Sequence, residues 1–219
     1  MAVSEIDIAT LNCTDMKNVK ELIYFLVFHS GRYELDTKNV PGLGYLAINS
    51  GMKSLQERLG THNFNVTVTT VPDTNTNIYT APLLYQVLSV RKGCRLLRQA
   101  DGVVPKITIT GNKEVPPKMW YKINHDGANG IMIDGTFGKD THITHSQYFK
   151  PISSPDDTNE LIRNYSTALA YSILYEFEVM QRNIAGATDY ATALTAEVTR
   201  IENSLIFEQV QNVREINAY

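Results

Sequence analysis

Histidine and cysteine are the side chains of this sequence that could support metal binding or nucleophilic catalysis. The densest histidine cluster is His125, His142 and His145. Because strand side chains alternate between faces, His142 and His145 should point to opposite sides and should not bind one ion together. We interpret all three as surface or turn histidines. Cys13 and Cys94 would each need a nearby base to act as a nucleophile, so we predict no catalytic residue, no metal site and no cofactor.

A basic stretch in the middle of the chain could contact phosphate groups. It consists of Arg91, Lys92, Arg95 and Arg98. Cations of this kind can neutralise the DNA backbone, but they are also typical of a solvated strand edge, where charge discourages unwanted pairing. We favour the strand edge and keep DNA-backbone contact as the alternative. No Gly-Lys-Ser/Thr phosphate loop occurs in the sequence, so nucleotide use is not expected.

The composition is that of an ordinary globular protein. Of 219 residues, 43% are apolar and 20% are charged, which argues against a disordered or fibrous chain. With only two cysteines, a reducing compartment is the simplest expectation. The acidic start of the chain is unlike a signal peptide, and the longest apolar run, residues 22–28, is far shorter than the roughly 20 residues of a membrane span. We therefore expect no membrane association and a cytoplasmic site of synthesis and assembly.

Helical spacing of apolar residues marks both ends of the sequence. Residues 17–29 predict a helix that ends at Gly31, and a second helix is predicted from Pro41 to just before Gly60. Gly51 inside the second helix indicates either close helix approach or a tolerated glycine, and we favour the latter.

A second helical region is predicted after the middle of the chain. Ser154-Pro155 has the composition of a helix start, and a stop is predicted near Ala185-Gly186. The helix predicted next carries apolar residues at spacings of three and four from 187 to 205. Together these segments predict an αα-hairpin.

Between the helical regions the apolar period changes to two. The alternation starts at residue 63 and predicts short strands separated by Gly- and Asp-containing turns. The strands are expected at residues 85–91, 106–110, 118–123, 130–133 and 141–144. Such regular spacing is typical of an antiparallel sandwich or barrel.

These segments predict an α+β fold: a helical bundle, made of N-terminal helices and a C-terminal αα-hairpin, with an inserted antiparallel β-domain. The helical core would comprise residues 1–60 and 156–205, and the insertion residues 63–153. Residues 206–219 lie beyond the hairpin, and we interpret them as a docking arm for a partner or a neighbouring subunit, with a frayed chain terminus as the alternative. Its apolar residues are Ile206, Phe207, Val210, Val213 and Ile216.

The order of the segments resembles the head-to-tail adaptor (connector) proteins of tailed bacteriophages. The resemblance rests on a helical run with an Asn-containing start and a Leu/Arg-rich end, followed by Thr/Val strands and a Tyr-x-x-Pro turn. In this sequence these are Tyr45-Leu-Ala-Ile-Asn-Ser-Gly-Met-Lys-Ser-Leu-Gln-Glu-Arg-Leu-Gly60, Phe64-Asn-Val-Thr-Val-Thr-Thr-Val71, Ile78-Tyr-Thr-Ala-Pro82 and Tyr85-Gln-Val-Leu-Ser-Val90. Residues 161–178 resemble the returning long helix of that family, whose shorter members have a smaller insertion than residues 63–153.

The resemblance implies a non-enzymatic virion protein at the head-tail junction. Its partners would be the portal protein, tail or nozzle proteins and its own copies in a dodecameric ring. Genomic DNA would pass through the channel without sequence readout. The resemblance also implies that the docking arm binds the portal or a neighbouring subunit, because adaptor tails commonly insert between portal subunits.

Two other functions stay open at this stage. One is a different phage tail component, such as a stopper, tail-completion or baseplate protein. The other is a DNA-binding module, which should bind duplex DNA alone with steep salt dependence. Because the charge is mixed and no long apolar run is present, we expect the isolated chain to be mostly monomeric and to form a ring only on a partner template.

Overall fold

The computed structural model describes most of the chain. The described residues are 16–38, 41–60, 66–70, 77–81, 83–100, 117–125, 127–137 and 140–216, with side chains described up to residue 204 except that of residue 41. The predicted strand 106–110 lies outside them. Within the described residues the fold is α+β, as predicted.

The helices lie toward the two ends of the chain. They are α1 (Val19–Ser30), α2 (Pro41–Arg58), α3 (Glu160–Asn164), α4 (Ser166–Met180) and α5 (Ile184–Ile216), with a short 3-10 helix at Tyr33–Leu35. The strands lie between α2 and α3. They are β1 (Val66–Thr70), β2 (Ile78–Thr80), β3 (Leu84–Lys92), β4 (Arg95–Leu96), β5 (Arg98–Gln99), β6 (Met119–His125), β7 (Ala128–Ile133) and β8 (Thr141–Gln147).

The chain divides into two compact units. The first, called here the helical unit, combines the chain up to residue 61 with the chain from residue 151 onward. The second, the sheet unit, comprises residues 62–150.

The first helix ends at Gly31, as predicted, but it begins at Val19, two residues after the predicted start at residue 17. The Asn18 side chain accepts a hydrogen bond from the Glu21 N–H at 3.1 Å, which satisfies a donor that the helix itself leaves free. At the other end Gly31 has φ 67 and donates its N–H to the Val27 carbonyl at 2.9 Å. This left-handed cap is the conformation that glycine adopts most cheaply.

The predicted helix start at Ser154 is wrong. The Asp157 carboxylate accepts the N–H groups of Ser153 and Ser154, both at 2.9 Å, which closes a turn there. Helix begins only after Asn159, whose side chain accepts the Ile162 N–H at 3.1 Å. A serine, a proline and two acids are as compatible with this turn as with a helix cap.

Helix α4 lies at the centre of the helical unit and contacts α1, α2 and α5. Most of its length and circumference is buried. The buried residues of α4 are Ser166, Ala168, Leu169, Ala170, Ser172, Ile173, Leu174, Phe177 and Glu178. A helix buried on several sides needs apolar or small residues around most of its circumference.

The favoured interpretation of Gly51 as a merely tolerated glycine is also wrong. A Cβ at this position would lie 2.7 Å from the Ile173 Cα and 2.6 Å from its Cγ1. The Ser172 hydroxyl also donates to the Gly51 carbonyl at 2.8 Å. Helices α2 and α4 therefore approach so closely here that only glycine fits.

The stop predicted at Ala185-Gly186 lies a few residues too late. The chain turns at Gln181–Asn183, and α5 already begins at Ile184. Arg182 has φ 58, so an arginine occupies the left-handed position that glycine usually takes after a helix. The αα-hairpin itself is present, since α4 and α5 pack together.

The sheet unit contains two sheets built mainly from antiparallel pairs. The described strand orders are β1-β8-β3-β4 and β2-β7-β6-β5, and β5 pairs with β6 in parallel. The four predicted strands inside the described residues are confirmed as β3, β6, β7 and β8, and the alternation predicted from residue 63 is seen in β1. Strands β6 and β7 stay paired as far as His125 and Ala128.

The two sheets share one core, as expected of a sandwich. Its buried residues come from both sheets and from the loop after β7. They are Val90, Leu97, Trp120, Ile131, Ile133, Phe137 and Ile143. Leu97 lies between β4 and β5, so the chain crosses from one sheet to the other through a core residue.

Candidate functional site

The basic stretch lies on the hairpin of β3 and β4 and on the short strand β5 that follows it. Lys92 pairs with Arg95 across the turn, where Gly93 has φ 54. Arg95 lies on β4 and Arg98 on β5, and among the described strands each of these is the outermost strand of its sheet. Arg91, Arg95 and Arg98 are exposed, whereas the Lys92 ammonium group donates to the Thr136 carbonyl at 3.4 Å. Among the strands that the structure describes, Arg95 and Arg98 thus lie at the predicted edge position.

The histidines do not converge. His145 and His142 each contact β1, through the Thr69 and Thr70 hydroxyls at 3.2 Å and 3.1 Å. His125 is exposed at the end of β6. The structure holds no group of three possible metal ligands among the residues that it describes.

The expectation that all three histidines lie at the surface or in turns is wrong for His145, which is completely buried. Burial lowers the pKa of its imidazole, and the Ser146 backbone partly opposes this effect. Its Nδ1 has no hydrogen-bond partner among the described atoms.

An open groove runs between α4 and α5 in the helical unit, and the sequence reasoning missed it. Its volume is about 940 Å³. The α4 side and the turn contribute Tyr175, Glu178, Val179, Arg182 and Asn183. The α5 side contributes Ile184, Ala187, Thr188, Ala191, Thr192, Thr195, Ala196 and Thr199. The sequence does contain a signal for this groove: alanine and threonine recur at spacings of three and four along α5. Because these side chains are small, they leave space between α5 and a neighbouring helix.

The threonines of the groove use their hydroxyl groups within their own helix. Thr188, Thr192, Thr195 and Thr199 each donate to the carbonyl four residues earlier, at 2.8–3.0 Å. A hydroxyl satisfied in this way demands no polar partner from a molecule in the groove. The α5 wall therefore behaves as an apolar surface, and Ile184, 82% exposed, extends it at the turn.

A buried carboxylate fixes the turn end of the groove. Glu178 is 1% exposed, and its Oε1 accepts a hydrogen bond from the Arg32 Nε at 2.9 Å and forms an ion pair with the Arg32 Nη2 at 2.8 Å. Its Oε2 accepts from the Asn183 side chain at 2.7 Å. A Cβ on Gly186 would lie only 3.1 Å from Oε2. Burial and the Glu178 charge raise the pKa of the nearby Tyr190 hydroxyl. This cluster ties the region after α1 to both helices of the hairpin.

Helix α5 is much longer than the helix it packs against. Its 33 residues span about 50 Å, whereas the 15 residues of α4 span about 22 Å. The last buried side chain described in α5 is Ile201. We call residues 202–216 the α5 extension; it includes Ile206, Phe207, Val210, Val213 and Ile216, whose side chains lie outside the described residues.

The sequence matches no protein-family model and no curated protein. In the part of the chain that the structure describes, no helix is long and apolar enough to span a membrane. Function must therefore be inferred from the chain itself.

Proposed function

We propose that this chain is a structural virion protein, a head-to-tail adaptor that joins the portal of a tailed bacteriophage to its tail. Twelve copies would form a ring that extends the DNA channel. The observation that supports this best is the division of the chain. The helical unit is built from both ends of the chain, and the sheet unit is inserted between them. This order is the one that the resemblance rests on.

The proposal includes a helical bundle with a separable, inserted antiparallel β-domain. If the two units fold separately, amide hydrogen exchange should give two protection classes that follow the unit boundaries near residues 61 and 151. A single class spanning both units would contradict this part of the proposal.

The α5 extension and the residues after it form the proposed docking arm. In the sequence, Ile206, Val210 and Val213 recur at spacings of four and three, which gives one apolar stripe on a helix. Such a stripe can lie in a groove of the portal or of a neighbouring subunit. The short α4 cannot cover it, since α4 is less than half as long as α5.

Deletion of residues 206–219 tests the arm. Thermal stability should stay nearly unchanged, because the described core ends at Ile201, while the truncated chain should no longer attach to the portal. Attachment is measured by co-sedimentation with purified portal rings of the same phage, and the matched control is Asn203→Ala on the exposed surface of the same helix. Normal attachment of the truncated chain would overturn the docking arm, and so would failure to fold.

Particle mass measurement tests the adaptor role itself. At low micromolar concentration the purified chain alone should be mostly monomeric, and with portal rings it should add about twelve copies per ring, as the adaptor resemblance implies. A β-mediated ring or a different copy number would favour a stopper, tail-completion or baseplate protein. We place the assembled protein in the virion, after assembly in the host cytoplasm.

Contact with the DNA backbone is a second candidate role, favoured by the exposed side chains of Arg91, Arg95 and Arg98. Replacing these three with serine should reduce the slope of DNA affinity against salt by about 0.9 for each phosphate group that the variant no longer neutralises. Binding should not depend on sequence, because no described element combines a basic helix face with base-reading side chains. Sequence-selective binding at physiological salt would instead indicate a DNA-binding module.

A further inference from the structure

We infer that the groove between α4 and α5 receives the α5 extension of a second copy of this chain. The inference deepens the proposed function, on which it rests, because an adaptor ring requires each copy to contact the next. It names the two surfaces that would meet.

The lengths of groove and extension agree. The groove follows α5 from Ile184 to Thr199, about 24 Å of helix. The extension, residues 202–216, is about 22 Å long. An extension cannot fold back into its own groove, since both belong to one continuous helix.

The chemistry of the two surfaces is complementary. The groove presents alanines and threonine methyl groups over about four turns of helix, and small side chains let a second helix approach closely. The extension brings large apolar residues at helical spacing, among them Ile206, Val210 and Val213. Large residues on one helix would thus face small residues on the other.

Charge also favours this occupant. The extension contains Glu202, Glu208 and Glu215 but a single cation, Arg214. Two charged residues, Glu178 and Arg182, line the groove. Because Glu178 is already paired with Arg32, Arg182 is the one whose charge can attract an occupant of the groove. The groove is therefore basic at its turn end, opposite in sign to the extension.

The backbone at Arg182 supports the same conclusion. Its φ of 58 is a left-handed conformation in which a non-glycine residue costs about 1 kcal/mol. Helix ends normally place glycine there. An arginine at this position is locally unfavourable, and a role for its charge at the rim of the groove would account for it.

The contact joins different surfaces of the two copies, so it is heterologous. Such contacts propagate from one copy to the next and close into a ring when the rotation permits. Two copies could also exchange extensions reciprocally, which would give a closed dimer. Particle mass distinguishes a ring from a dimer, and both contain the inferred contact.

Cysteine cross-linking between differently tagged chains tests the contact. One chain carries Ala191→Cys in the groove and the other Val210→Cys in the extension, both with Cys13→Ser and Cys94→Ser. A short bismaleimide is added at the highest soluble concentration. Within one chain these positions are about 28 Å apart along the helix, so a short cross-link between them must join two chains.

The matched control replaces Ala191→Cys with Asp189→Cys, an exposed position of the same helix that does not line the groove. We expect about tenfold more cross-linked product from the groove position than from this control, which corresponds to about 1.4 kcal/mol. Arg182→Glu should lower the yield about threefold, and Arg182→Gly should lower it less. Equal yields from positions 191 and 189 would overturn the inference.

A third chain carries Ala191→Cys and retains Cys13. A cross-link between these residues would identify the N-terminal segment as the occupant of the groove and would also overturn the inference. The outcome is separable from the adaptor role. If no groove-to-extension cross-link forms but the chain still attaches to the portal, the inference fails and the function stands. If the cross-link forms without portal attachment, the inference stands and the function fails.

Discussion

The two units differ in how they satisfy a buried ionisable side chain. In the helical unit both oxygens of the Glu178 carboxylate have partners. In the sheet unit one nitrogen of the His145 imidazole has no hydrogen-bond partner among the described atoms. Glu178 receives Arg32 on one oxygen and Asn183 on the other. The His145 Nε2 lies 3.2 Å from the Thr69 hydroxyl, while its Nδ1 has no hydrogen-bond partner among the described atoms. Both side chains are buried, so burial alone does not explain the difference.

The difference follows from charge. A buried carboxylate is stable only when paired and hydrogen-bonded, and its partners then fix the geometry around it. An imidazole can instead lose its proton and be buried in the neutral form. We therefore expect the helical unit to be sensitive to changes in geometry and the sheet unit to be sensitive to pH. Two probes separate the units: helix circular dichroism reports on the first, and the single tryptophan, Trp120, on the second.

The largest effect is expected from Gly51→Ala. The added methyl group would overlap the Ile173 backbone, and because backbone cannot rotate away, the cost should be about 3 kcal/mol or more. The control is Gly42→Ala, in the same helix with nothing near the new Cβ, which should be neutral or stabilising by less than about 1 kcal/mol. Urea unfolding followed by circular dichroism measures both. Equal effects of the two substitutions would refute the close approach of α2 and α4.

An intermediate effect is expected from Arg32→Ala. It removes the hydrogen bond and the ion pair on one Glu178 oxygen and leaves the buried charge with the Asn183 side chain. Removing one partner of a buried pair costs about 3–5 kcal/mol, and we expect roughly 2 here, because Arg32 is 38% exposed and water screens part of the interaction.

The control for Arg32→Ala is Lys53→Ala, in an exposed pair with Glu57, which should change the free energy of unfolding by less than about 0.5 kcal/mol. Adding Glu178→Gln to Arg32→Ala should recover part of the stability, since the unpaired charge is then gone. If the double variant is no more stable than Arg32→Ala, charge is not the cause. The tryptophan-monitored transition should stay unchanged throughout.

Much of the fold could be predicted from short-range signals. Asn18 and Gly31 bound α1 because each acts on backbone groups within four residues, and these are visible in the sequence. Strands β3, β6, β7 and β8 follow from alternation for the same reason. The helix start predicted at Ser154 is wrong because a serine followed by a proline and acids can form a turn as well as a helix cap. The side chain that caps this helix is that of Asn159, which accepts a hydrogen bond from the Ile162 N–H.

The parts that could not be predicted depend on contacts distant in sequence. Gly51 is required by Ile173, and Glu178 is paired with Arg32, 146 residues away. The groove is formed by side chains of α4, the turn and α5 together, from Tyr175 to Thr199, whereas the sequence predicts the end of α4 a few residues too late. The prediction of a surface or turn position fails for His145 because its burial is decided by its position on β8 between β1 and β3.

The smallest effect, and the one that defines the sheet unit, is a decrease of stability in acid caused by His145. Its pKa is lowered in the folded protein, so as the pH falls below the usual value of about 6.5 the unfolded chain takes up the proton first. Stability is complete above that value and declines as the pH falls toward the lowered pKa, by at most about 1.4 kcal/mol per pH unit for one proton.

The groups that face His145 offer no compensation among the described residues. They are the Thr69 hydroxyl, the Tyr79 ring at 6.2 Å and the neighbouring Ser146, none of which carries a negative charge at neutral pH. Urea unfolding monitored by Trp120 fluorescence at about pH 7.5 and about pH 5.5, on either side of the usual histidine value, should therefore show lower stability in acid. In His145→Gln the baseline stability should fall but most of this pH dependence should disappear. His125→Gln, exposed at the end of β6, should retain it. An unchanged pH slope in His145→Gln would show that another group causes the acid sensitivity, and the contrast between the two units would then not rest on the unpaired imidazole.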